Sequence, residues 1–204
     1  KPIGSGPYKY TEVGEQKIVA VPNEHYNGNT PATVDTINWN PLKDDAARLT
    51  AALDGTIDVV ESVPASSQKD LTDAGWTVES KPGYGNAFMM FNTQKAPFDQ
   101  PEVRRAFLKA INKKAIIETA LDGEAVEATS FLPEVSSAYK KPTTDLSYDK
   151  DAAAQLLNDA GVSGMKVNLL TTDHPWIVAM VPQITADLEA LGLTVNHTSQ
   201  ATGD

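Results

Sequence analysis

Three consecutive stretches near the end of the chain restrict its fold more than any other feature. "MKVNLLTT" (165–172) reads as a strand. "PWIVAMVPQITADLEALG" (175–192) spaces Ile177, Val181, Ile184, Leu188 and Leu191 four and three residues apart. "LTVNHTS" (193–199) reads as a strand again. A switch from strand to helical period and back describes a βαβ unit. Such crossovers are parallel and right-handed. Pro182 falls inside the helical stretch, where it removes a backbone donor, so a kink or a displaced helix start is expected. A parallel sheet needs more strands than this stretch supplies, and the opening "KPIGSGPYKY" resembles the interior of a domain. A piece of a longer chain is therefore expected.

Upstream, the punctuation is regular. "YKYTEV" and "KIVAVPN" read as strands separated by Gly14, and "VDTINWNPL" as a third. "DDAARLTAALDG" carries an Asp cap and a closing Gly55, with Leu49 and Leu53 on one face. "TIDVVESVP" is expected to form a strand ending at Pro64, "SQKDLTDAG" a helix closed by Gly75, and "WTVES" and "GYGNAFMMFN" two further strands. Alternating strands and helices over 34–92 indicate an α/β sheet. Because Phe88 and Met90 share one face and Met89 and Phe91 the other, residues 88–92 are expected to be a buried central strand. Asp99 with Glu102 reads as a capping box, with Pro101 in the first turn. Val103, Phe107 and Ala110 line one face of that helix, and Arg104, Arg105 and Lys109 the other. Asn112 caps a helix ending at Gly123. A long irregular segment follows, and Asp149 then caps a helix that closes at Gly161. Irregular segments of this length inside compact domains are often functional.

Composition excludes several function classes. The 204 residues fit one large domain or two small ones. A net charge of −10 argues against nucleic acid as a partner, since phosphate binding needs a basic surface. The chain has no cysteine, which removes disulfides, thiolate metal sites and cysteine nucleophiles. No apolar run approaches the roughly 20 residues that span a bilayer, and no signal peptide is visible at the start. Histidines 25, 174 and 197 lack metal-ligand spacing. "GSG" and "GYG" are not phosphate loops, and no GxSxG elbow occurs. The carboxylates are scattered and fall mostly at helix ends, where capping is the default role. No catalytic residue, metal ligand or cofactor is assigned. Arg104, Arg105, Lys109, Lys113 and Lys114 read as a solvated helix face. Tyr84 and Asn86 stand out as candidate ligand contacts, because they are polar-tipped and lie at a glycine-rich strand entry. "GYG" itself suggests a close backbone approach or a bulge.

Five motifs in order carry a family resemblance: "GSGPYKY", "HYNG", "ARLTAALDGTIDVVESVP", "FNTQKAPFDQPEVRRAFLKAINKKAII" and "YDKDAAAQLLNDAGV". Together they resemble the family 5 extracellular solute-binding proteins of ABC importers, the dipeptide, oligopeptide and nickel group. Departures are mild: Ala96 stands where the family often has Pro, and Gln100 where it often has Asp. The resemblance implies an α/β, periplasmic-binding-protein-like two-lobe fold of type II, of which the chain covers the middle. It assigns residues 1–111 to the N-terminal lobe and 112–204 to the first part of the second, with a crossing near Ile111 to Lys114. It implies a non-catalytic protein that captures short peptides between its lobes and delivers them to a membrane permease. Nickel or a metal chelate is the alternative ligand. It further implies an extracytoplasmic location, periplasmic or lipid-anchored, and a monomeric full-length protein. Tyr84, Gly85, Asn86 and Phe88 would approach the cleft between the lobes from the first lobe, and Ser130, Phe131 and Leu132 from the second.

Overall fold

The computed structural model describes residues 3–201. The reading of Lys1 and Pro2 as domain interior lies outside these residues. The described chain forms two compact units that divide between Val78 and Glu79.

In the first unit, β1 (Tyr8–Val13), β2 (Ile18–Pro22) and β3 (Ile37–Trp39) form an antiparallel meander in sequential order. A register shift between Tyr10 and Glu12 bulges β1. The Tyr8 hydroxyl accepts from the backbone N–H of Thr33 and Val34, at 3.0 and 3.1 Å, and so ties the connection before β3 to the sheet. Two helices follow, α1 (Asp45–Leu53) and α2 (Ala65–Asp73). Asp44 caps α1 by accepting from Ala47 N at 2.8 Å. Gly55 and Gly75 close the two helices at φ +68° and +89°, a conformation that favours glycine. Three expectations fail in this region. Residues 34–36 do not join β3, where the N–H of Val34 goes to the Tyr8 hydroxyl and not to a strand, and 56–64 and 76–78 enter no ladder. The sheet is consequently an antiparallel meander, not an alternating α/β sheet. Leu53 is exposed; Ala52 is the buried residue of α1.

The second unit contains α3 (Pro101–Ala110), α4 (Lys113–Ala120), α5 (Lys150–Asp159), β4 (Lys166–Thr172), α6 (Pro175–Glu189) and β5 (Thr194–Gln200). β4 and β5 pair in parallel from Lys166–Thr194 to Thr172–Gln200, so the βαβ unit is present as read. Helix α6 runs unbroken through Pro182 from a start at Pro175. Asn112 and Asp149 cap α4 and α5 with bonds of 3.0 and 2.9 Å. The cap of α3 differs from expectation. Gln100 occupies the N-cap without a side-chain bond, and Asp99 lies one residue too early to cap. Arg104 is not a solvated cation. It is half-buried, and its guanidinium donates to the carbonyls of Phe98 at 2.7 Å and Asp99 at 3.1 Å, bracing the turn before α3.

The core unites Val103, Ala106, Phe107 and Ala110 of α3 with Ala153 and Leu157 of α5, Val167 of β4 and Leu188 of α6. Helix α3 thus shares its packing with elements that follow residue 112, and the division of the described chain lies well before Ile111. Phe107 is 1% exposed and meets Phe91 and Phe98 edge-on at 5.6 and 5.3 Å. Truncating a buried aromatic side chain removes its transfer free energy and leaves a cavity. Phe107→Ala is expected to lower stability by about 3–5 kcal/mol in urea unfolding, whereas Leu108→Ala, on the exposed face of the same helix, is expected to cost under ~1 kcal/mol.

Candidate ligand site

Residues 79–92 run without a ladder partner among the described residues, so the expected buried central strand is absent. The chain is nonetheless two-sided there. Met89 and Phe91 pack against the core, while Phe88 is 56% and Met90 92% exposed. An extended backbone sends alternate side chains to opposite sides. The alternation does not reach upstream, where Asn86 is half-buried, Ala87 is exposed and the chain bends at Tyr84; with Phe91 held by Phe98 and Phe107, it leaves Phe88 and Met90 on the outer side.

That side meets the long connection between α4 and α5. Asn86 Nδ2 donates to the Phe131 carbonyl at 3.0 Å. The Phe88 and Phe131 rings lie 5.2 Å apart at an interplanar angle of 31°, within the range of favourable aromatic pairs. The Tyr84 hydroxyl lies 3.5 Å from the Val135 carbonyl, the loosest of the three links. The structure therefore brings Asn86 and Phe88 against Phe131, with Tyr84 near Val135; all of them lie within the second unit, so the expectation that they approach from two separate lobes is not met. Ser130 and Leu132 flank Phe131 without a side-chain hydrogen bond of their own. At Gly85 an added Cβ would meet open space, and neither Gly83 nor Gly85 has a positive φ. The close approach or bulge expected of "GYG" is absent among the described residues.

Several side chains that organise this site escaped sequence reasoning. Residues 124–148 contain no helix or strand, yet they are closely tied. Thr129 Oγ1 lies 2.8 Å from the Tyr139 hydroxyl, which also donates to Glu134 at 3.3 Å. Turns close from Ser136 N to Pro133 O and from Tyr139 N to Ser136 O. Lys113 Nζ donates to the Ala128 carbonyl at 2.8 Å and pairs with Glu127 at 3.2 Å. Asp145 accepts from the amide and hydroxyl of Ser147, which hold its carboxyl below the usual carboxylate range. Only a spacing argument could have found Lys113, and its partner carbonyl lies 15 residues away.

The arrangement offers exposed aromatic surface beside fixed amide and hydroxyl groups. Apolar surface with a few placed polar groups is the general character of small-ligand sites. Among the described residues no cluster of His, Asp or Glu could hold a metal ion. In the first unit, the shallow void beside Arg48, Ser67 and Leu71 has room for about one water and is too small for a ligand.

The family described as bacterial extracellular solute-binding proteins, family 5 Middle, matches residues 1–203. The chain belongs to this family. Family 5 proteins bind solutes for transport, in the periplasm or outside the cell. Heme-binding protein A of Haemophilus influenzae is 32% identical over 206 residues, covering 96% of this chain and 37% of that protein. The periplasmic murein peptide-binding protein MppA of Escherichia coli is 32% identical over 176 residues, covering 83% of this chain and 33% of its own length. Among solved structures, the periplasmic binding protein DppA of Helicobacter pylori, in complex with the peptide STSA, superimposes with a TM-score of 0.88 at 27% identity. That match covers all of this chain and 40% of DppA. The chain thus spans about two fifths of the family 5 relatives it matches, and carries that part of their mixed helix-and-strand fold.

The bond from Asn86 holds the Phe131 carbonyl from outside its own loop. Losing one such bond costs about 1 kcal/mol, or roughly a fivefold rise in the open population. Limited chymotrypsin digestion is therefore expected to cleave after Phe131 about fivefold faster in Asn86→Ala, with other cleavage rates unchanged.

Proposed function

We propose that the complete protein is the substrate-binding component of an ABC importer. It captures short peptides between two lobes outside the cytoplasm and delivers them to a membrane permease as a monomer, without turning them over. The observation that carries this reading is the cluster of Tyr84, Asn86, Phe88 and Phe131 in a chain whose family relatives include peptide binders. Exposed rings give apolar side chains a surface, and amides and hydroxyls in a fixed array suit a peptide backbone. Ser130, Leu132 and Gly85 complete the proposed contacts. An export signal or lipid anchor outside these residues would place the protein in the periplasm or on the cell surface. Lobe closure by hinge motion is the conformational step this reading calls for. The shared core of α3, α5 and α6 supports assigning α3 to the second lobe, ahead of the crossing that the sequence suggests near Ile111.

The test is calorimetry on the complete protein with di- to pentapeptides, including Ala-Ala-Ala and Ala-Phe-Ala, and with nickel chelates and hemin as competing ligands. Micromolar or tighter peptide binding is expected, stronger for Ala-Phe-Ala. Phe131→Ala is expected to weaken it by about 1–2 kcal/mol, roughly a 5- to 30-fold rise in Kd. Binding of hemin or a nickel chelate without any peptide binding would replace the peptide reading. Hydrolysis of a bound peptide would overturn the assignment as a non-enzyme.

A further inference from the structure

The proposed ligand site depends on a loop without secondary structure, and one cation at its stem has a geometry no solvated residue needs. Lys113 is the first residue of α4. Its side chain is 28% exposed, and it turns from the helix to donate to the Ala128 carbonyl at 2.8 Å while pairing with Glu127 at 3.2 Å. Its neighbour Lys114 is 80% exposed and reaches only Glu118, at 3.9 Å. The two lysines are adjacent and chemically identical, so the contrast is positional.

The base of Lys113 is itself held. Asp187 of α6 accepts from the backbone N–H of Asn112 at 2.8 Å, and Gln183 donates to the other oxygen of Asp187 at 2.9 Å. Asn112 in turn caps α4 through Ala115 N. The helix that carries Lys113 is thereby fixed to α6 at its first turn. From there the linkage continues to Ala128, three residues before Phe131. Beyond Ala128 the loop is cross-tied by Thr129 and Tyr139, and its far side rests on Asn86 and Phe88.

The geometry points to Lys113 as a positioning residue for the ligand site. It transmits the rigidity of the α4–α6 junction to the Phe131 loop, so that the Phe131 ring is set against Phe88 before ligand arrives. A charge-assisted bond to a carbonyl is stronger than a neutral one, and pre-ordering a loop removes an ordering cost from binding. This inference rests on the proposed ligand role of Phe131. The two are separated by a measurement that needs no ligand.

The experiment uses the complete protein with Lys113→Met, Lys113→Arg and the control Lys114→Met. Hydrogen exchange without ligand is expected to rise about tenfold across residues 126–139 in Lys113→Met, to recover partly in Lys113→Arg, and to stay at the wild-type rate in Lys114→Met. The melting temperature is expected to stay within about 2 °C of wild type, as for a locally acting residue. Titration with Ala-Phe-Ala is expected to show about a tenfold rise in Kd for Lys113→Met. In a Phe131→Ala background the same substitution is expected to add nothing, because the two residues act as one unit. Unchanged exchange over 126–139 would overturn the inference, whatever the protein binds. Faster exchange with an unchanged Kd, or an undiminished Lys113 effect in the Phe131→Ala background, would overturn the ligand-positioning role. If the wild type binds no peptide, the proposed function fails, and the ligand role of Lys113 fails with it.

Discussion

The packing of Phe107 against Phe91 and Phe98 is the constraint on which the second unit depends. The three ring centroids lie 5.2 to 5.6 Å apart, with Phe107 presenting two edge-on contacts. This cluster joins two things that backbone hydrogen bonding leaves separate. One is an extended segment with no ladder partner among the described residues. The other is a helix whose inner face is buried with α5 and α6. Because Phe91 is fixed inward, the alternation over Phe88 to Phe91 leaves Phe88 and Met90 exposed. Phe88 and, two residues before it, Asn86 meet the Phe131 loop.

The loop they meet is held differently. Its links are a mixture of bonds from side chains to carbonyls, bonds between side chains and an aromatic contact, with neutral hydrogen bonds worth only about 1 kcal/mol net each. No single one immobilises it. Lys113 at the stem, Tyr139 across the middle and Asn86 at the tip act at different points along the same connection. A segment fixed by several weak links at separate points stays ordered while remaining able to adjust.

Helices and their ends were legible in the sequence because their signals are local. Asp44, Asn112 and Asp149 cap within three residues, and Gly55, Gly75 and Gly161 take the positive φ that helix closure favours, whereas α4 ends at Ala120, before the expected Gly123, and Asp122 takes the first positive φ after it. The βαβ unit was legible because its three elements are consecutive. The strands expected over 56–64 and 76–92 were not realised, because apolar alternation describes a side chain's preference while a strand needs a partner backbone. Asp99 misled by one position, since the turn preceding Pro101 leaves Gln100 at the cap. Arg104 and Lys113 were read as solvated cations. Their partners are carbonyls, and a carbonyl has no side-chain signature in a sequence. Tyr84 and Asn86 stood out because polar-tipped side chains beside glycine are a local signal, whereas Phe88, Ser130, Phe131 and Leu132 entered only through the family resemblance. That Asn86 and Phe88 would touch Phe131 could not be read from spacing.

The central claim is that residues 84–88 and 130–132 form one surface against which a peptide lies. Photo-crosslinking tests it most directly. A tripeptide carrying a benzophenone side chain would be irradiated with the complete protein, and the adducts located by mass spectrometry. The account predicts adducts within 84–88 and 130–132 that are competed away by unlabelled peptide. Competable adducts confined to other parts of the protein would contradict it.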